Sequence, residues 1–258
     1  MQRFFLVGCP RSGTTIFQSL LAAHPEINTF PETKIFQYTL WDGFRHTLPE
    51  RLERFFYFEI MRPELLEPFR GCQTTKEKII WFIGVLDGLT IENEKNIWVE
   101  KTPEHIFFIP EIQRYVPDAK FIHITRNGLD TIASLWEATH STENPVWGGL
   151  WTLNHCIQRW KDSMKITEKY AENKNHLIVE YKRLISHKVE VLTECCNFIG
   201  IDYNPAMLTN YKFQALNLGG GLPWHQGIDR DIEAPTTPKY KKVLQQEEID
   251  YILDSIQE

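Results

Sequence analysis

Residues 4–15, FFLVGCPRSGTT, constrain the fold more than any other stretch of the chain. An apolar run ends at Gly8. A short loop with an arginine, a glycine and hydroxyl residues follows, and IFQSLLAAH then continues at helical spacing. Only Met-Gln-Arg precedes the run, which is too short for a signal-peptide core or a membrane span. Its aromatic and β-branched content reads as a buried strand. Glycines at a strand end let backbone N–H groups turn toward an anion, and the helix that follows adds partial positive charge.

Four more segments read as buried strands bounded by turn formers: INTF (27–30), NIWVEK (96–101), KFIHITR (120–126) and HLIVEY (176–181). Amphipathic stretches separate them at 14–23, 76–92, 129–138, 149–172 and 187–199, and a last helix is expected near 245–256. Strands alternating with helices favour a parallel sheet with both faces covered. The expected fold is therefore α/β: a P-loop-like central parallel sheet of about five strands in a single domain, 1–258. Residues 35–75 are aromatic-rich and broken by prolines, which predicts an irregular helical excursion over the sheet. Residues 214–238 contain NLGGGLPWHQG and APTTP and read as a loop able to move.

A net charge of −6 argues against a general nucleic-acid binder, so any bound anion must meet locally placed Arg and Lys. No window is long and apolar enough for a stable membrane span. Five cysteines, at 9, 72, 156, 195 and 196, form no CxxC pair and suggest reduced thiols in the cytoplasm.

Gly8 and Gly13 have the spacing of a phosphate-binding loop, and Arg11 can add a charge-assisted contact. The plainer alternative is a strand-to-helix turn capped by Ser12 or Thr14. A nucleotide hydrolase or kinase would carry lysine where Thr14 stands, with a neighbouring hydroxyl on magnesium. No later strand ends in an apolar-apolar-Asp pattern. The loop thus reads as an anion grip that requires no metal.

PRSGTT after a first strand resembles the 5′-phosphosulfate loop of sulfotransferases that use 3′-phosphoadenosine 5′-phosphosulfate (PAPS). By that resemblance Arg11, Ser12, Gly13, Thr14 and Thr15 hold the 5′ end of the donor. FIHITRNGLDTIASLW (121–136) is similar to the family's 3′-phosphate site, which implies that role for Arg126 and Ser134. VEKTPEH (99–105) resembles its Lys-Thr-Pro or Lys-Thr-His element, placing Lys101 at the oxygen between phosphate and sulfate. Pro103 stands where one branch has a catalytic histidine; His105, two residues on, is a candidate substitute, and His123 a further histidine to test. FPETKIF (30–36) resembles the tyrosylprotein and heparan sulfate branches, which place a glutamate base here, implying Glu32. Glu32 could instead merely pair with Lys34 or another basic neighbour. VEYKRLI (179–185) implies an adenine or phosphate contact at Tyr181. PTTPKYKKVL (235–244) loosely matches the family's basic C-terminal segment, with Lys239, Lys241 and Lys242 as candidates or as a solvated helix face. The resemblance covers about residues 3–205.

The implied activity is transfer of a sulfuryl group from PAPS to the hydroxyl, or less readily the amine, of a small-molecule, carbohydrate or lipid acceptor. Glu32, Lys101 and Arg11 are its catalytic residues. The alternatives are a P-loop-type small-molecule kinase and a non-catalytic nucleotide-binding module.

Overall fold

Strand β1 (Gln2–Gly8) lies at the centre of a five-stranded sheet, flanked by the strands that follow later in the chain. A computed structural model describes residues 1–140, 149–219 and 237–257. The other strands are β2 (Ile27–Phe30), β3 (Ile97–Lys101), β4 (Lys120–Thr125) and β5 (His176–Glu180). Their order is β2-β3-β1-β4-β5, and every pair is parallel.

Alternation along the strands fills two layers at once, because successive side chains point to opposite faces. Phe5, Val7, Trp98 and Phe121 enter one core; Phe4, Leu6, Ile97, Val99, Ile122 and Ile124 enter the other. On the first face sit helix α2 (Ile35–Leu40), the rest of the 35–75 excursion, and the long α3 (Thr75–Glu92). The excursion is a chain of short helical pieces, as expected, and Leu48, Leu52, Phe55, Phe56, Leu66 and Phe69 bury themselves from it. Helix α3 starts at a capping box in which Thr74 accepts from the Glu77 amide and Glu77 accepts from the Thr74 amide. Helix α1 (Thr14–Ala22) helps cover the second face. Helices α4 (Gly128–His140) and α5 (Leu153–Lys169) share a third cluster with the C-terminal helix, whose Ile249 and Ile252 are buried.

Two boundaries differ from expectation. Helix α5 begins at Leu153 rather than 149, since the Thr152 hydroxyl accepts from the His155 amide and fixes the start. After α6 (Lys188–Ile199), the region read as loop from 214 is helical to its first glycine, as α7 (Tyr211–Gly219). Tyr211 and Ala215 are buried there, and α7 lies against α1. Tertiary burial overrides the weak helical signal of the glycine-rich sequence. The remainder of that loop, 220–236, lies outside the described residues. The C-terminal helix α8 spans Gln246–Gln257.

The chain leaves β1 for β2 and β3 on one side, then returns to place β4 and β5 on the other. Such a reversal opens a crevice at the carboxyl ends of the central strands. The register brings the end of every strand to this one edge, with Phe30 beside Glu100, Leu6 beside Lys101, Gly8 beside Ile124 and Thr125 beside Glu180.

Candidate active site at the carboxyl edge of the sheet

Each strand delivers one of the sequence-predicted residues to this edge. Arg11 follows β1, Glu32 follows β2, Lys101 ends β3, Arg126 follows β4, and Tyr181 follows β5.

The loop between β1 and α1 is shaped by two glycines with no room for a Cβ. At Gly8 that atom would lie 2.5 Å from the Ile124 carbonyl oxygen, so only glycine lets β1 and β4 approach this closely. Gly13 has φ +103° and its Cβ would stand 2.4 Å from the Tyr181 ring. Arg11 itself holds a left-handed φ of 72°, a conformation that non-glycine residues keep only where their surroundings demand it. The Ser12 hydroxyl donates to the Cys9 carbonyl at 2.6 Å, and the N-cap of α1 is Gly13 with no side-chain cap. A cap by Ser12 or Thr14 is therefore not what the loop provides. The first-turn amides of α1 have no side-chain acceptor, which suits an anion.

Two guanidinium groups face this cradle. Arg11 Nε donates to Ser134 Oγ at 3.2 Å, and no carboxylate among the described residues lies within ion-pair distance of it. Burial pushes its pKa below the ordinary arginine value; Glu137 and Glu32 oppose the shift and the Arg126 charge adds to it. Arg126 stacks over Tyr181 at 4.7 Å and reaches Asp130 at 3.4 Å, while its Nε is buried without a partner. Asn127 caps α4, its Oδ1 accepting from the Asp130 amide at 2.9 Å. Neighbouring cations with an unused buried donor suit a ligand of multiple negative charge. Tyr181 forms a platform beneath Arg126 and against Gly13. The Tyr240 amide donates to Asp130, and Lys239 pairs with Glu137, so the C-terminal segment docks on α4 next to Arg126. Lys241 and Lys242 are exposed.

Across the cradle, Lys101 Nζ donates to Glu32 Oε1 at 2.6 Å and to Thr15 Oγ1 at 3.3 Å. Lys34 is farther from Glu32, at 3.8 Å. The Lys101 side chain is 3% exposed and that of Glu32 31%, so the carboxylate is the more accessible member of the pair. Arg51 donates to the Glu32 backbone carbonyl, fixing the turn from behind.

The two candidate histidines are elsewhere. His105 is fully buried and donates from Nδ1 to Glu100 at 2.9 Å. His123 contacts Thr167 and His176 inside the fold, and burial with the neighbouring His176 pushes its pKa down to about 3. Neither reaches Glu32 at this edge. Sequence reasoning missed Glu100, Thr33 and Thr102, which lock the Glu32 turn to β3. Its one signal was a carboxylate in an otherwise apolar buried strand.

The sequence pattern of the sulfotransferase family matches residues 3–205. The chain belongs to the sulfotransferase family. Relatives include a protein-tyrosine sulfotransferase of Drosophila melanogaster, 24% identical over 86% of this chain and 42% of its own length. Another is protein-tyrosine sulfotransferase 1 of Danio rerio, 23% identical over 86% of this chain and 59% of its own length. The chain thus spans about half the length of these curated relatives. Among solved structures, the sulfotransferase domain from the curacin biosynthetic pathway superposes with a TM-score of 0.63 at 17% identity, covering 99% of this chain and 97% of that one. A mouse sulfotransferase complexed with PAP superposes at 0.56 with 13% identity, covering 98% and 82%. These likenesses carry the fold.

Proposed function

We propose that this sulfotransferase-family chain moves a sulfuryl group from PAPS to an acceptor hydroxyl, with Glu32 as base. The observation that carries the reading is the contact of Glu32 with Lys101 and of Lys101 with Thr15. It joins a solvent-reachable carboxylate, a buried ammonium and the anion loop in one line.

The residues present fit the donor. The uncapped start of α1 and Arg11 suit a 5′-phosphosulfate, and the unpartnered Nε of Arg126 suits a 3′-phosphate. PAPS supplies a sulfuryl group on a stable leaving bisphosphate. Glu32 takes the acceptor proton as that oxygen bonds to sulfur and the bond from sulfur to the bridging oxygen breaks. An ammonium has three N–H donors; Lys101 directs two to Glu32 and Thr15, leaving one for the charge that grows on the leaving oxygen. Arg11 and the α1 amides oppose the remaining negative charge. Positioning and electrostatics then carry the rate.

The acceptors to screen are hydroxylated small molecules, carbohydrates and lipids, with tyrosine phenols added because relatives bear that name. The five free cysteines support residence in a reducing compartment, the cytoplasm, which cell fractionation tests. The functional test pairs calorimetric titration of 3′-phosphoadenosine 5′-phosphate (PAP) with labelled donor against that acceptor panel. Tight PAP binding without added metal, together with labelled product, supports the reading. ATP binding in preference to PAP contradicts it.

A further inference from the structure

The backbone ladder between β2 and β3 ends at the pair Phe30 and Glu100. Beyond it Glu32, two residues past Phe30, and Lys101, one past Glu100, meet at 2.6 Å. Side chains take over where the ladder stops. Glu100 Oε1 accepts from the Thr33 amide at 3.2 Å, the Thr33 hydroxyl at 2.9 Å and the Thr102 hydroxyl at 2.5 Å. Its Oε2 accepts from His105 Nδ1 at 2.9 Å. The Thr102 oxygen in turn accepts from the Lys34 amide at 3.2 Å. Glu100, Thr33, Thr102 and His105 are each at most 1% exposed.

Two details show that these bonds set the Glu32 turn in particular. Lys34 lies beyond the end of β2 with a left-handed φ of 55°, and its amide donates to the Thr102 oxygen in place of a ladder partner. Arg51 holds the Glu32 carbonyl from the other side. The turn 32–34 is thus pinned at consecutive backbone groups, while the Glu32 side chain is 31% exposed. Only a carboxylate can receive four donors at this point; an amide has a single oxygen and adds donors of its own. Burying a charge is costly unless it is fully hydrogen-bonded, so the site is either complete or badly strained.

We propose that Glu100, acting with Thr102, is a positioning residue that holds the Glu32 turn against Lys101 and so sets the alignment on which transfer depends. This rests on the sulfotransferase reading above. Neither residue reaches the donor cradle, so the effect is on turnover through Glu32 and not on nucleotide affinity.

The test uses the full chain, labelled PAPS, an acceptor panel with water as one acceptor, and PAP affinity by calorimetry. Thr102→Val keeps the shape and removes one donor to Glu100 and the acceptor of the Lys34 amide, where Glu100→Gln would disturb all four bonds; Tm is measured beside kcat and Thr102→Ser serves as the folding control. Thr102→Val is expected to lower kcat at least about tenfold with PAP affinity within about twofold, and Thr102→Ser to restore most of the rate. In a Glu32→Gln background, Thr102→Val should cost less than about a further twofold, since the residue it acts through no longer serves as base. An equal loss in both backgrounds, a parallel loss of PAP affinity, or an unchanged rate overturns the proposal. Wild-type protein that binds PAP but transfers to nothing in the panel overturns the sulfotransferase reading instead, and this one with it.

Discussion

Replacing Arg126 by alanine isolates the proposed 3′-phosphate contact, because the side chain does little else. Its fold contacts are the stack on Tyr181 at 4.7 Å and the Asp130 pair at 3.4 Å. A cation–π contact contributes about 0.5–1 kcal/mol and such an ion pair up to about 1 kcal/mol. Asp130 keeps the Asn127 and Tyr240 donors, so it is not left bare. The folding cost should therefore stay near 1–2 kcal/mol, roughly a few degrees in Tm for a domain of this size. A charge-assisted hydrogen bond to a buried phosphate is worth about 1.5–3 kcal/mol, or about 10- to 150-fold in Kd. Calorimetry on Arg126→Ala should show that loss for PAP. Adenosine 5′-phosphosulfate lacks the 3′-phosphate and should bind almost as before. Equal losses for the two ligands would refute the assignment of Arg126.

Lys101→Ala should act chiefly on kcat, because charge on the leaving oxygen grows only as the bond breaks; near-normal turnover would make Lys101 a structural residue. Gly13→Ala forces a left-handed alanine, at about 1–2 kcal/mol, and drives its Cβ into the Tyr181 ring. PAP affinity should fall in that variant, as calorimetry would show. His123 should make stability fall with acid. Its folded pKa of about 3 lies below the usual value of about 6.5, so the unfolded chain binds the extra proton first. The stability is fully present above about pH 6.5 and drops by about 2 kcal/mol by pH 5. Tm measured from pH 7 to 5 should slope down in the wild type and less steeply in His123→Gln.

How far the sequence foretells this site depends on distance from a strand end. Arg11, Glu32, Lys101, Arg126 and Tyr181 sit within three residues of apolar runs that are easily recognised, and a parallel sheet brings those ends together. Gly8 and Gly13 were legible for the same reason. What periodicity does not encode is facing after a turn. His105 looked available two residues beyond Pro103, but the 3-10 turn Pro103–Phe108 rotates it under the sheet toward Glu100. Glu32 pairs with Lys34 through Oε2, as its neighbour in sequence allows, and the added pair of its Oε1 with Lys101 follows from the β2–β3 register, a long-range property. Ser134 comes to the same edge, where its contact is Arg11 rather than Arg126. The end of α7 was hidden because burial of Ala215, not local propensity, carries the helix into the glycine run.

The proposed transfer depends on a partly exposed carboxylate paired with a buried lysine. Glu32→Gln keeps the shape and most hydrogen bonds while removing basicity. A positioned base contributes a factor of about 10² to 10⁴. The decisive measurement is turnover of labelled PAPS in this variant, alongside PAP affinity and Tm. A fall of at least about a hundredfold with affinity and Tm nearly unchanged is the predicted result. Turnover that survives in Glu32→Gln would contradict the account.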